Sequence, residues 1–258
     1  MDVTSRPTPV VLALSGLDPC AGAGLTADVR TIAACGARPV GVPTCLTVQN
    51  RRGFVEAWPV PPRQILQMAD AARADGPIAA IKIGLCVDAA TVEVIAAWLD
   101  ELGPARPHVV VDPVLSATAG GGPQGVEAIA RALAESLAPH VDLFTPNLPE
   151  LAILGGAESL RRRMRAAAAL FVTGGHGDGP DVVDRLLLPH GERDFVHARF
   201  DRGPVHGTGC ALSSAVAAGL ALGLRLEDAC EGAVRTVRRF LERTPAATDG
   251  LPVPLTIG

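Results

Sequence analysis

The segment His206-Gly207-Thr208-Gly209-Cys210 runs directly into the apolar stretch ALSSAVAAGLALG. Backbone N–H groups at a helix start have no intrahelical partner and carry partial positive charge. Gly207, Thr208 and Gly209 therefore suit an anion, and the two glycines let a phosphate approach closely. Cys210 falls where the helix dipole is expected to lower a thiol pKa and favour thiolate, the poise of a base or nucleophile. Plain burial at a helix start is the competing role for such a cysteine.

Three other clusters offer complementary chemistry. Asp112 ends an apolar run, and Asn147 and Glu150 stand three apart at a helix start, so these side chains could face one Mg²⁺-bound phosphate. A strand-end turn for Asp112 and a capping box for Asn147 and Glu150 use the same residues. Gln49 follows another apolar run, and its amide can pair with a heteroaromatic ring edge through one donor and one acceptor, or simply bond its own loop. Residues 15–28, SGLDPCAGAGLTAD, hold Gly16, Gly22 and Gly24 before a helix that carries Asp28 in its first turn. Such a loop suits an anion or a close-packed small molecule, and equally a bare strand-to-helix connection.

These clusters need elements to position them. Apolar runs at residues 10–15, 39–46, 78–84, 108–112, 141–145 and 169–175 read as strands buried on both faces. Helical patterns at 25–35, 62–74, 89–102, 125–137 and 148–154 alternate with them, which implies a parallel sheet with helices on both faces. After Gly175 the pattern becomes two antiparallel strands, 182–188 and 194–200, joined at His190-Gly191, then helices at 207–222 and 226–243. In open parallel sheets ligands sit beyond the carboxyl ends of the strands, where all four clusters fall. Residues 159–173 must hold both a helix and a strand with no turn residue between them. Residues 1–9 and 244–258, rich in Pro, Thr and Gly, read as loose ends, and no linker marks a domain boundary.

Composition narrows the chemistry further. The 258 residues are 48% apolar and 19% charged, with a net charge of −4, no Tyr and 3% aromatics. That is enough to build one large core, and it offers no basic field or stacking platform for nucleic acid. Lys82 is the only lysine, and it stands in IKIGLC, outside any P-loop pattern. The six cysteines have no CxxC or metal-ligand spacing, and a disulfide framework does not fit this size. Only Cys86 is set apart from plain core packing, besides Cys210. No signal h-region and no membrane-length apolar run is present, so a cytoplasmic protein is expected.

In order, SGLDPCAGAGLTAD, LTVQN, KIGL, DPVL, TPNLPE, TGGH and HGTGC span residues 15–210. This set resembles the hydroxymethylpyrimidine and phosphomethylpyrimidine kinases of thiamine biosynthesis, within the ribokinase-like superfamily. The resemblance implies a single α/β domain with a three-layer αβα ribokinase-like fold, a mostly parallel sheet and a homodimer. It implies ATP-dependent phosphorylation of 4-amino-5-hydroxymethyl-2-methylpyrimidine and then of its monophosphate. By that pattern Gly16, Asp28, Thr47, Gln49, Leu85 and Val114 surround the pyrimidine. Asp112 and Glu150 orient Mg²⁺, and Asn147 and Thr173 face the ATP phosphates. Gly207, Thr208 and Gly209 form the anion hole, and Cys210 is the general base.

Several positions depart from the common pattern. VTGGH has Thr173 where a common form has lysine, Cys20-Ala21 replace a Ser-Gly pair, Leu85 replaces methionine, and the stretch from Glu150 to Thr173 is short. Pyridoxal kinase with the same base is the alternative enzyme, and a non-catalytic pyrimidine sensor the alternative class. Turnover of the phosphomethylpyrimidine separates the first, and any phosphoryl transfer the second.

Overall fold

The computed structural model describes residues 7–103, 105–115, 125–175, 179–200 and 203–258. Nine strands form one sheet in the order β3-β2-β1-β4-β5-β6-β7-β8-β9. They are β1 (Val10–Leu17), β2 (Arg38–Asn50), β3 (Gly53–Pro59), β4 (Ile78–Ile83), β5 (His108–Val111), β6 (Leu143–Phe144), β7 (Ala169–Val172), β8 (Asp181–Leu188) and β9 (Gly191–Ala198). The six strands from β2 to β7 run parallel. Both margins turn antiparallel: β3 folds back on β2, and β8 and β9 form a hairpin beside β7. The sheet therefore carries two arms, one at each edge.

Period-2 alternation sorts the central strands onto two helical layers. Leu12, Leu14, Ile81, Ile83, Val109 and Val111 face a core closed by α2 (Pro62–Ala74), α3 (Ala89–Glu101), α4 (Val126–Ala132) and α6 (Ala157–Arg161). Val11, Ala13, Ala80, Val110 and Phe171 face the other way, against α1 (Gly24–Ala34), α7 (Thr208–Ala221) and α8 (Leu226–Arg243). Each fully buried Leu, Ile or Phe contributes about 1.5–3 kcal/mol to this sandwich. Every residue of α7 from Ala211 to Leu220 is buried, because α7 lies between the sheet and its neighbours α1 and α8. Packing of Ala211 to Leu220 thus fixes the helix, while its first turn, with Gly209 exposed, faces a cleft.

Three expectations need correction. β2 continues through Gln49 to Asn50 and turns at Arg51-Arg52 into β3, which the apolar pattern did not reveal. GFVEAWP lies on the sheet edge, where Val55 and Trp58 remain exposed, so no buried run betrays it. Residues 244–258 are docked, not loose; residues 1–6 of the other expected loose end lie outside the described residues. β11 (Val253–Pro254) pairs with β10 (Val205–His206), and Leu255 and Ile257 are buried in the α7 layer. Thr244 Oγ1 donates to the Phe240 carbonyl at 2.7 Å and accepts the Thr256 N–H at 2.9 Å. Finally, the crowded helix-to-strand step closes through turns between α6 and β7, with Met164 buried beneath them.

The α4 helix continues into a π turn, Leu133–Leu137, and a 3-10 turn, Ala138–His140, where one longer helix was expected. The short helix α5 (Leu148–Ile153) follows β6. Cys86 lies in the α2–α4 core, where burial pushes its thiol up.

Candidate active site

A cleft of about 690 Å³ runs across the carboxyl tips of the strands, a size that suits a small ligand. Gly16, Thr47, Gln49, Leu85 and Val114 line it toward the β2–β3 arm, together with Phe54 of β3. Asp112, Asn147, Glu150, Thr173 and Gly207 to Cys210 line its middle. Val182, Asp184 and His197 of the β8–β9 arm line the other end, with Val234, Val237 and Leu241 of α8.

The turn before α7 is built on two glycine contacts. Gly207 has φ +93°, and a Cβ there would collide with the Gly22 carbonyl oxygen. Gly24, with φ +56°, stands against the Gly16 carbonyl in the same way. The loop after β1 and the loop before α7 therefore interlock backbone to backbone, which no larger residue allows. No side chain caps α7 at Gly207, so its first N–H groups are offered to the cleft.

Asp18, absent from the sequence-derived site, holds these loops. Its buried carboxylate accepts N–H groups from Cys20 at 2.8 Å, Gly22 at 3.1 Å and Ala23 at 2.9 Å, and lies 3.5 Å from His206 Nε2. Burial alone would raise its pKa. The bonds from His206, Cys20, Ala23 and Gln49 outweigh it and hold the carboxyl below its ordinary value. Asp before Pro in a glycine-rich stretch is a turn signal that could have pointed to it.

Cys210 departs from the helix-dipole expectation. Burial pushes its thiol up to about 12; Lys82 pulls it down, Asp112 and Asp28 push it further up, and the Gly24 N–H opposes them. A helix terminus offers a fraction of a charge, whereas desolvation and two nearby carboxylates act together. At neutral pH this cysteine is a thiol.

The two carboxylates in the middle of the cleft are also displaced. Burial raises Asp112 despite Lys82, with Asp28 adding to the rise, while Ser213 Oγ donates to it at 3.3 Å. Burial and then Asp112 raise Glu150 to about 8. Glu150 and Asn147 do form a capping box: the Asn147 N–H donates to Oε2 at 3.0 Å, and the Glu150 N–H donates to Asn147 Oδ1 at 2.9 Å. The capping role and the cleft position coexist. Two neighbouring buried acids, both raised, are the donor set a dication relieves, and Mg²⁺ commonly takes one or two carboxylates plus phosphate oxygens. Among the described residues no three His, Cys, Asp or Glu gather as a metal cage, so any ion here would rely on those phosphate oxygens.

Asp28, expected at the pyrimidine, lies elsewhere. It is fully buried behind the cleft wall, bonded by both oxygens to Lys82 Nζ at 2.9 Å and by Ser214 Oγ at 2.8 Å. The pairing removes it from the cavity lining. At the β2–β3 end of the cleft the Thr47 hydroxyl donates to the Leu17 carbonyl at 2.9 Å. A Cβ on Gly16 would meet Leu85 Cδ2 at 2.9 Å, so glycine keeps this wall thin. Thr173 donates its N–H to the Pro146 carbonyl at 2.9 Å and bridges Asn147 across the strand tips. The second unforeseen pair is Asp184 and His197, 3.2 Å apart, with Asp184 also accepting the Gly174 N–H at 2.9 Å. Its partners meet across a hairpin, and no local pattern marks them.

A three-layer αβα sandwich with an uncapped helix start, a cysteine and two carboxylates at its strand tips defines a ribokinase-like phosphotransferase. Solved structures of that fold superpose closely. Bacillus subtilis pyridoxal kinase in its ADP complex matches with TM-score 0.84 and 22% identity over 97% of this chain and 98% of its own. Phosphomethylpyrimidine kinase from Clostridium difficile matches with TM-score 0.76 and 26% identity over 91% and 100%. The profile of the phosphomethylpyrimidine kinase family matches residues 18–253, and the chain belongs to that family. The hydroxymethylpyrimidine/phosphomethylpyrimidine kinase of Rhizobium meliloti is 35% identical over 95% of this chain and 94% of its own length. The chain spans about a third of the length of the multifunctional thiamine biosynthesis proteins of two Corynebacterium species that it also matches.

Proposed function

We propose that the protein transfers the γ-phosphoryl group of ATP to the hydroxymethyl oxygen of 4-amino-5-hydroxymethyl-2-methylpyrimidine, and then phosphorylates the monophosphate to the diphosphate. The observation that carries this reading is the continuity of the cleft. A pocket carrying the Gln49 amide opens onto an uncapped helix start bearing Cys210, with Asp112 and Glu150 beside it. Gln49 bonds the ring nitrogen and amino group, turning from Asp18. Leu85, Val114 and Thr47 enclose the ring. The apolar end formed by Val182, Val234, Val237 and Leu241 takes the nucleotide base.

Asp112 and Glu150 would hold Mg²⁺, which when bound neutralises phosphate charge and orients the transferring group. Asn147 and Thr173 face the ATP phosphates. The N–H groups of Thr208, Gly209 and Cys210 accept the charge that develops on the moving phosphoryl. Cys210 takes the hydroxyl proton as the bond to phosphorus forms. A loose transition state asks little of a base, so a thiol that ionises only in a minor fraction suffices.

We also infer a homodimer. Leu17, Leu46, Val48 and Trp58 make an exposed apolar face on the β2–β3 arm, Leu46 lying directly beside Trp58 and Leu17. An apolar face of this kind on an edge hairpin fits a second copy of the chain. All six cysteines are free, which supports a reducing, cytoplasmic setting, and no described helix is long and apolar enough to cross a membrane.

ATP consumption with hydroxymethylpyrimidine and pyridoxal in parallel, with products identified by mass, tests the reading. Two phosphates on the pyrimidine are expected. Phosphorylation of pyridoxal alone would replace the acceptor, and saturable pyrimidine binding with no transfer would make the protein a sensor.

A further inference from the structure

The only lysine of the chain is sealed inside it. Lys82 lies on β4 between Ile81 and Ile83, and alternation turns it toward the layer of α1 and α7. Gly84, two residues on, is on the same side. A Cβ there would stand 2.7 Å from Lys82 Nζ, so the Lys-Ile-Gly order leaves room for the ammonium. Asp28 of α1 grips that ammonium with both oxygens at 2.9 Å, and Ser214 of α7 bonds Asp28 at 2.8 Å. One residue earlier, Ser213 Oγ sits 3.3 Å from Asp112, with the Gly209 and Cys210 carbonyls nearer, at 3.0 and 3.1 Å, competing for its single proton.

Stability does not account for this arrangement. Replacing a fully buried ion pair with apolar side chains of similar volume is often neutral or stabilising, and an isoleucine at position 82 would match its neighbours. What an apolar pair cannot supply is a fixed positive charge in a dry wall. There the ammonium pulls the Asp112 carboxyl and the Cys210 thiol down while Asp28 pushes both up, so the wall presents an oriented ion pair to the cleft. Adjacent serines on one helix stand against both carboxylates, Ser214 bonding Asp28 and Ser213 beside Asp112 of the cleft.

We propose that Lys82 is a positioning residue for phosphoryl transfer: clamped by Asp28 and Ser214, it sets the Asp112 carboxylate and the first turn of α7 against the transferring group. The proposal rests on the kinase reading above. Lys82→Met alone strands the Asp28 charge in the interior, so the informative variant is Lys82→Met/Asp28→Asn, which stays neutral and keeps an acceptor for Ser214. Its melting midpoint should stay within about 3 °C of the parent, a change near 1 kcal/mol for a chain of this size. kcat should fall about 10²-fold with KM for the pyrimidine within about threefold, the mark of an interaction made in the transition state.

Calorimetric titration with Mg·ADP needs no acceptor and should show affinity about tenfold weaker, a loss of roughly 1.4 kcal/mol. A folded double variant with parental kcat and parental Mg·ADP affinity would overturn the proposal. Should the parent bind Mg·ADP but phosphorylate no pyrimidine, the acceptor assignment fails, and the variant's Mg·ADP affinity still decides the role of Lys82. If the double variant does not fold, Ser214→Ala takes its place. A several-fold lower kcat at constant KM then supports the clamp, and an unchanged kcat refutes it.

Discussion

The middle of the cleft and its two arms are made of different chemistry. In the middle, Asp112, Glu150, Cys210 and, behind them, Lys82 are ionisable groups drawn into the interior, and burial or a neighbouring charge displaces each one. The arms present Thr47, Gln49 and Phe54 on one side and mainly Val182, Val234 and Val237 on the other, with the Asp184–His197 pair bonded internally. On the proposed reading, the displaced acids and thiol gather where phosphoryl transfer occurs, and the arms carry mostly neutral surface, with Arg199 and Arg238 at the margin of the far end. Mutations in the two regions should therefore separate into effects on kcat and effects on KM.

The sharpest test of that division is Cys210→Ala, which should depress kcat by about 10²-fold or more and leave KM for the pyrimidine nearly constant. In the unmodified protein kcat should climb with pH, because below a thiol pKa of about 12 the thiolate fraction grows with each unit. A flat profile together with a fully active alanine variant would leave the middle of the cleft without its base.

Asp18→Asn probes the joint between the regions and should cost about 1–3 kcal/mol at neutral pH, read from denaturant unfolding. The sign of the pH dependence follows from its lowered pKa. The folded carboxyl ionises below the unfolded value of about 3.8, so its contribution is present above that value and is lost as pH falls toward the folded pKa. The asparagine variant should lose less stability than the parent below about pH 4.

Gln49→Ala should raise KM for the pyrimidine about tenfold with kcat and the ATP KM little changed, as expected for a lost hydrogen-bonding side chain. An effect confined to ATP would break the assignment of the arm. Trp58→Asp, on the outer face of the same arm, should convert the inferred dimer to monomer in light scattering with kcat kept within about twofold, since surface substitutions away from the cleft act weakly. Least of all, Arg185→Ala should leave the melting midpoint unchanged, because the Arg185–Asp194 pair at 2.7 Å is open to solvent.

How far the sequence reveals this molecule depends on the range of the interaction. The parallel strands and their helices were legible because alternation and helical period are local, and residues just past each apolar run then fall at the cleft. Asp112, Glu150, Gln49 and Gly207 all reach it on that logic. Asp28 did not, because its partner is 54 residues away and only the folded chain brings Lys82 to it. β3 was hidden by exposure on the sheet edge, and β11 by its brevity, since two residues carry no period. Charges were the hardest to read. The helix dipole is visible in the sequence of α7, but the burial and carboxylates that outweigh it at Cys210 come from other elements.

The isolation of Lys82 gives this protein a clock of its own opening. With one side-chain amine in the chain and none of it exposed, an amine-acylating reagent finds no lysine on the folded molecule. An acyl group on Lys82 is therefore a record of each excursion in which the rear wall of the cleft comes apart. Mass spectrometry of that single peptide would time these openings, and bound nucleotide should slow them by lowering the population of the opened state.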